Sequence, residues 1–322
     1  MGRNLTVFFI LSFIVVGSFA VYNGGKLPSL TSPVPKIQNV FGVKAEEKEV
    51  LNDWFPKLES AAHDVSGLTL SAKSAIIVDY DTGEVIFSKN PKEQLPAAST
   101  VKIMTALVAL NESKLNEVFT VSQKAAQIGE NSMILTEGEK LTLEELLYGM
   151  MLVSGNDAAV AIAENVAGNE EEFVTKMNET VKNLGLKDSR FVNASGLDED
   201  DKLQYSSAFD LAVISRYLWE THQEIKNFTS TYHKYIGATD THKDFELFND
   251  TNLLTTYPGV KGIKPGFTWE AGLCLVTYAE NDGKRLLAVI LGSENRRMEM
   301  KELLDFGFSK FGIRVHHPAL DY

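Results

Sequence analysis

The sequence of 322 residues contains one cysteine, Cys274, so no internal disulfide can staple it. Its six histidines stand without paired spacing, which leaves no metal-ligand pattern and argues against a zinc enzyme. Basic residues are scarce: 31 Lys and Arg stand against 43 Asp and Glu, a formal net charge of −12. A chain this acidic lacks the clustered cations that bind phosphate backbones, and nucleic acid is excluded as a partner. Glycine at 23 and proline at 9 are too few for a collagen-like or low-complexity chain. What remains, 44% hydrophobic and 23% charged, is a globular balance with enough apolar side chain for a substantial core.

Long apolar runs are rare, and the clearest stands at the start. Residues 5–21 are broken only by Thr6, Ser12, Gly17 and Ser18, with Arg3 in front. A charged start followed by an apolar stretch is the layout of an export signal. Ser18-Phe19-Ala20 offers the small residues that cleavage after Ala20 requires, and the run is also close to the lower limit for crossing a bilayer. Residues 1–21 are therefore expected to be a signal peptide or an N-terminal membrane anchor, with the rest of the chain extracytoplasmic. Gly24, Gly25, Pro28, Pro33 and Pro35 mark residues 22–66 as a flexible tether, with a short helical pattern over 46–63.

From about residue 67 to 313 the pattern is that of one folded domain, followed by a tail over 314–322. Residues 74–80 and 84–88 are β-rich and flank Asp81-Thr-Gly83, a hairpin. A second hairpin joins 273–278 to 286–291 through Asn281-Asp-Gly283, and a terminal helix is expected over 296–310. Between them lie helix starts: Thr142-x-x-Glu145 is a capping box, and Asn169-x-x-Glu172 and Ser207-x-x-Asp210 have the same form. The segment 232–248 reads as a surface β-excursion. The sheet is thus assembled from both ends of the domain, with a helical block inserted.

Ser99-Thr-Val-Lys102 is the only Ser-x-x-Lys in the chain, and it opens a helical pattern of Ile103, Leu107 and Leu110. Residues three apart on a helix share a face, so the Ser99 hydroxyl and the Lys102 amine can touch. The N-terminal end of a helix also favours developing negative charge. A lysine acts as a base near neutral pH only where burial or another cation lowers its pKa. Alone, such a tetrapeptide is expected about once by chance in a chain of this length. Ser154-Gly-Asn156 interrupts apolar flanks at 150–153 and 158–162, where small polar groups need partners. Lys264-Pro-Gly266 precedes the second hairpin and supplies a cation on a strand, with Phe267 and Thr268 following.

Taken in order, Ser-x-x-Lys, Ser-x-Asn and Lys-x-Gly resemble the motif set of the penicillin-binding and serine β-lactamase superfamily. Longer stretches are similar to the low-molecular-weight D-alanyl-D-alanine carboxypeptidases, peptidase family S11. These are residues 72–83, 95–107, Phe191-Val-Asn-Ala-Ser-Gly-Leu197, Tyr205-Ser-Ser-Ala-Phe-Asp-Leu-Ala212 and 262–273. The resemblance covers roughly residues 68–312. It implies an α/β (α+β) fold of the β-lactamase/transpeptidase type. It further implies an enzyme whose substrate is the D-Ala-D-Ala end of a peptidoglycan stem peptide, with β-lactams as covalent inhibitors. In that family's pattern Ser99 is the nucleophile, Lys102 its base and Ser154 a proton relay. Asn156, Lys264, Gly266, Phe267 and Thr268 bind substrate, and the oxyanion sits between the Ser99 and Phe267 amides. No metal or organic cofactor is implied.

Two departures stand out. The family's third motif is usually Lys-Thr-Gly, whereas here the middle residue is Pro265, which removes a hydroxyl and an N–H from the strand. A hydrogen bond to a charged group contributes about 1.5–3 kcal/mol; Thr268 is expected to take over that role. Many relatives also carry a second β-rich domain ending in an amphipathic helix, whereas this sequence stops at Tyr322, so membrane attachment is expected only through the N-terminal segment. Two alternatives stay open: a penicillin-binding wall sensor disabled by Pro265, and a serine β-lactamase, which commonly needs a glutamate in the region of 188–203 that the sequence does not supply in recognisable form.

Overall fold

Ser-Ala-Ile-Ile-Val-Asp is apolar through its middle, a composition that suits a strand covered on both faces. In the computed structural model, which describes residues 54–60, 68–199 and 203–320, that run is β1 (Ser74–Asp79). It is followed by β2 (Val85–Lys89), α1 (Lys102–Glu112), β3 (Val118–Thr120), α2 (Gln123–Gln127) and β4 (Lys140–Thr142). The helical block continues with α3 (Leu143–Leu152), α4 (Asn156–Ala167), α5 (Glu170–Asn183), α6 (Ala208–Thr221) and α7 (Ile225–Ser230). A small hairpin, β5 (His233–Ile236) and β6 (Phe245–Phe248), precedes β7 (Val260–Thr268), β8 (Gly272–Asn281), β9 (Lys284–Ser293) and α8 (Arg296–Ser309). The expected signal or anchor, 1–21, and residues 22–53 of the expected tether lie outside the described residues.

The main sheet is antiparallel in the order β2-β1-β9-β8-β7, so strands from the two ends of the domain meet at the β1–β9 pair. Side chains alternate between its faces. Ile76, Val78, Val276, Tyr278, Leu287 and Val289 pack against the helical block, together with Cys274, whose thiol burial pushes up to about 11. Ala75, Ile77, Leu275, Ala288 and Ile290 face Met300, Leu303, Leu304 and Phe308 of α8. At the heart of the helical block, α1 is buried continuously from Lys102 to Leu110. Such a helix cannot be amphipathic in the usual sense, and the one charged residue in that buried stretch, Lys102, needs a special environment.

The expected helix starts are present and explain why the block breaks where it does. Thr142 Oγ1 accepts from the Glu145 N–H while Glu145 Oε2 accepts from the Thr142 N–H, a reciprocal capping box on α3. Asn169 and Ser207 cap α5 and α6 one way only, their side-chain oxygens accepting from the Glu172 and Asp210 N–H groups. The helical pattern expected over 46–63 differs where it is described: Lys57 bridges Glu84, and a single 3-10 turn spans Leu58–Ser60. Pro56 accounts for this, because it lacks an N–H and blocks the preceding turn. Trp54 is buried, with the Arg216 guanidinium 4.5 Å from its ring centre, so this segment packs on the domain. Residues 314–320 also fold back, with His317 buried and hydrogen-bonded to Asp305.

Glu299 in the first turn of α8 accepts from the backbone N–H groups of Ser71 and Ala72, tying the chain ahead of β1 to the far end of the domain. Replacing Glu299 with Ala strands those amides and is expected to cost about 1–3 kcal/mol of stability, read as a lower midpoint in thermal or urea unfolding.

Candidate active site

Three pieces of chain converge on Lys102: the 3-10 turn Ala98–Val101 that leads into α1, the junction between α3 and α4, and β7. Lys102 is fully buried, and its Nζ lies 2.9 Å from Ser99 Oγ, 2.8 Å from Asn156 Oδ1 and 2.5 Å from the Ser195 carbonyl. The Asn156 amide is oriented by its other end, since Nδ2 donates to the Gly129 carbonyl at 3.0 Å. Two of the three partners of Lys102 are therefore obligate acceptors. A neutral amine has two N–H donors and one lone pair; the two acceptors consume the donors, and the lone pair is left for the Ser99 hydroxyl.

Ser154 occupies the α3–α4 junction at φ 61°, a left-handed conformation that is strained for a residue with a side chain. Hydrogen bonds from the two residues that follow hold it there: the Gly155 N–H donates to the Gly149 carbonyl, and the Asn156 N–H to the Asn131 carbonyl. Its hydroxyl is buried with no hydrogen-bond partner among the described residues and lines the same cleft as Ser99. Asp157, which sequence reasoning passed over, accepts from Ser132 Oγ and from the Met133 and Leu135 amides, and so fixes the loop that forms the opposite lip.

β7 is an edge strand, which is where proline is tolerated, and Pro265 pairs opposite Leu275 without a donor of its own. Gly266 allows the strand to press on the Ser99 turn: a Cβ there would lie 3.0 Å from the Ser99 nitrogen. Lys264 is fully buried, its Nζ 3.2 Å from the Pro265 carbonyl and 3.8 Å from Asp250 Oδ1. The Phe267 side chain is half exposed at the rim. Thr268 lines the cleft, but its hydroxyl donates to Asp198 at 3.1 Å, so its proton is directed away from the place that Pro265 leaves empty. A further donor beside this strand is Arg296, at the start of α8, which the sequence analysis did not single out. Its Nη1 donates to the Gly266 carbonyl at 2.7 Å, and it lines the cleft. The acidic stretch 188–203 presents Asp198 beside Thr268 rather than a glutamate.

Burial pulls the Lys102 ammonium well below the usual lysine range, and the nearby Lys264 cation lowers it further, against smaller opposing effects of Asp250, Asp157 and Glu130. Lys264 is itself lowered by burial and by Arg296, with Asp250 opposing.

The segment 193–197, noted in the sequence only for its resemblance, closes the floor of the site. Thr105 Oγ1 donates to the Ala194 carbonyl at 2.6 Å, one turn along from Lys102. Gly196 has φ 85°, and a Cβ on it would lie 2.1 Å from the Ala98 carbonyl oxygen. Gly196→Ala is therefore expected either to prevent folding or to shift the Ser99 turn, measured as a cooperative unfolding midpoint lowered by several degrees or lost.

Comparison with known proteins agrees with this geometry. The family described as D-alanyl-D-alanine carboxypeptidase, peptidase S11, matches residues 59–295. The D-alanyl-D-alanine carboxypeptidase DacF of Bacillus subtilis is 41% identical over 254 residues, covering 76% of this chain and 64% of DacF, so the chain spans just under two thirds of that relative. Among solved structures, penicillin-binding protein D2 of Listeria monocytogenes in its ampicillin-bound form is 32% identical, covers 75% of this chain and 99% of its own, and superposes with a TM-score of 0.66. A variant of the Streptomyces K15 DD-transpeptidase is 28% identical with a TM-score of 0.70, covering 75% and 99%. The family match over 59–295 takes in the main sheet, the helical block and Ser99, and the chain belongs to the D-alanyl-D-alanine carboxypeptidase family, peptidase family S11.

Proposed function

We propose that this chain is a serine-type carboxypeptidase that removes the terminal D-alanine from peptidoglycan stem peptides through an acyl-enzyme on Ser99. β-Lactams are proposed to acylate the same hydroxyl. The observation that carries this reading is the 2.9 Å contact between Ser99 Oγ and Nζ of a fully buried Lys102, where burial and the Lys264 cation disfavour the ammonium form that could not act as a base. The family names of the relatives and the ampicillin held by the Listeria protein support it.

In the first half-reaction Ser99 Oγ bonds to the carbonyl carbon of the penultimate D-alanine as its proton passes to Lys102 Nζ. The Ser99 and Phe267 amides receive the negative charge on the carbonyl oxygen. The C–N bond breaks as the proton moves on through the Ser154 hydroxyl to the leaving nitrogen, which departs as D-alanine. Water then adds to the ester, its proton returns along the same groups, and the Ser99 hydroxyl is regenerated. Lys264 and Arg296 are the cations that the terminal carboxylate meets. Arg296 presents more N–H groups than its bond to the Gly266 carbonyl uses, and these compensate for the threonine that Pro265 replaces.

Placement outside the cytoplasm is part of the same proposal and rests on the apolar run over 5–21. Among the described residues no helix is long and apolar enough to cross a membrane.

The test is D-alanine release from diacetyl-Lys-D-Ala-D-Ala by the full chain, with Ser99→Ala as control. Release that falls by at least a thousandfold in the variant is expected, the scale seen when a nucleophile is removed. Release that survives in Ser99→Ala contradicts the mechanism. Stable penicillin labelling of the unsubstituted chain with no D-alanine release replaces carboxypeptidation with the sensor reading.

A further inference from the structure

The cleft contains a carboxylate that the mechanism above leaves unused. Asp250 follows β6, and its backbone N–H donates to the Leu152 carbonyl at 3.0 Å, which anchors it beside the α3–α4 junction. Its Oδ1 is buried and accepts no hydrogen bond from the described residues. That oxygen lies 3.8 Å from Nζ of the fully buried Lys264, and Asp250 lines the cleft together with Ser99, Ser154 and Arg296. A buried carboxylate oxygen without a hydrogen bond is costly, so its charge is the feature to explain.

Several charged groups face this part of the site. Lys264 comes from β7, Arg296 from α8 and Lys102 from α1; Glu130 lies at the mouth and Asp157 at the start of α4. Asp157 is already committed to Ser132 and to the backbone amides of its loop. Asp250 is the carboxylate in ion-pair range of Lys264, and it makes no such pair with Lys102. Coulomb attraction falls with distance, so this carboxylate favours an ammonium at Lys264 over one at Lys102. Lys264 and Arg296 are the cations among these groups, and Asp250 is the carboxylate held against one of them.

We infer that Asp250 is a positioning residue that assigns the proton shared by the two buried lysines, holding it on Lys264 and leaving Lys102 as the free base. The inference rests on the catalytic reading above, since it concerns which lysine is charged during acylation. Asp250 is the main influence opposing the loss of the Lys264 proton; it also opposes loss of the Lys102 proton, but there the Lys264 cation outweighs it and is the main charge that lowers Lys102. The sign of its removal can be worked out. Without the carboxylate, Lys264 loses its proton at lower pH, and the cation that meets the substrate carboxylate disappears sooner as pH rises.

The experiment is the pH profile of acylation by a fluorescent penicillin in the full chain, for the unsubstituted protein, Asp250→Asn and Asp250→Glu. Asp250→Asn is expected to move the alkaline limb downward by about 1–3 pH units, the usual effect of losing an opposite charge at this range, while Asp250→Glu holds it near its original place. A rate that falls equally at every pH, with the limb unmoved, is what a merely structural role gives and overturns the inference. If Asp250→Asn does not fold, the order of titration is read in the unsubstituted protein by NMR of lysine labelled with carbon-13 at Cε, assigned with Lys264→Arg and Lys102→Arg. Lys264 titrating above Lys102 supports the assignment, and the reverse order overturns it. Failure of the unsubstituted chain to acylate at any pH would instead remove the catalytic reading, and the titration order still decides the proton's place.

Discussion

The site depends on a single constraint: an amine is held where water cannot reach it. Lys102 sits in the first turn of a helix buried on all sides, and an ammonium there would lose its hydration with no carboxylate among the described residues in ion-pair range to replace it. The folded chain meets this by supplying two neutral acceptors, the Asn156 side chain and the Ser195 carbonyl, and by placing a second cation nearby. Each of these requires its own support. Asn156 is held by the Gly129 carbonyl, the Ser195 peptide by the loop built around Asn193, and Lys264 by the edge strand and Asp250.

The same constraint explains where backbone strain is accepted. Ser154 holds a left-handed conformation at a helix junction, and Gly196 and Gly266 stand where a side chain would collide with the turn that carries Ser99. These positions bring three remote segments within hydrogen-bond distance, and the strain is borne by a continuous core on the helical face of the sheet. Pro265 fits because β7 is at the edge, where its missing N–H interrupts no ladder on the outer side. Arg296, brought in by α8 from the far end of the domain, donates to the Gly266 carbonyl next to Pro265.

Much of this was legible in the sequence. The three helix caps, both hairpins and the terminal helix are local patterns, each decided by residues within a turn or a strand of one another. Ser99, Lys102, Ser154, Asn156 and Lys264 were found because their order and spacing resemble a known motif set, and the structure brings them to one cleft. What escaped was non-local. Arg296 is thirty positions from the Gly266 carbonyl it binds and looks in the sequence like an ordinary first residue of a helix. Asp250 reads as a loop aspartate until β6 and the α3–α4 junction place it against Lys264. Thr268 was expected to stand in for the missing threonine because it is close in sequence, yet strand geometry turns its hydroxyl toward Asp198. Pro56 was overlooked within an apolar periodicity, and a packed segment was expected to be helix and tether.

The most direct measurement is intact-protein mass spectrometry after exposure to benzylpenicillin, comparing the unsubstituted chain with Lys102→Met, whose fold is checked by circular dichroism. A buried neutral base at Lys102 predicts one penicilloyl adduct on the peptide that contains Ser99 in the unsubstituted chain, and none in a folded Lys102→Met protein over the same time. An adduct forming on Ser99 at an undiminished rate in Lys102→Met would contradict it.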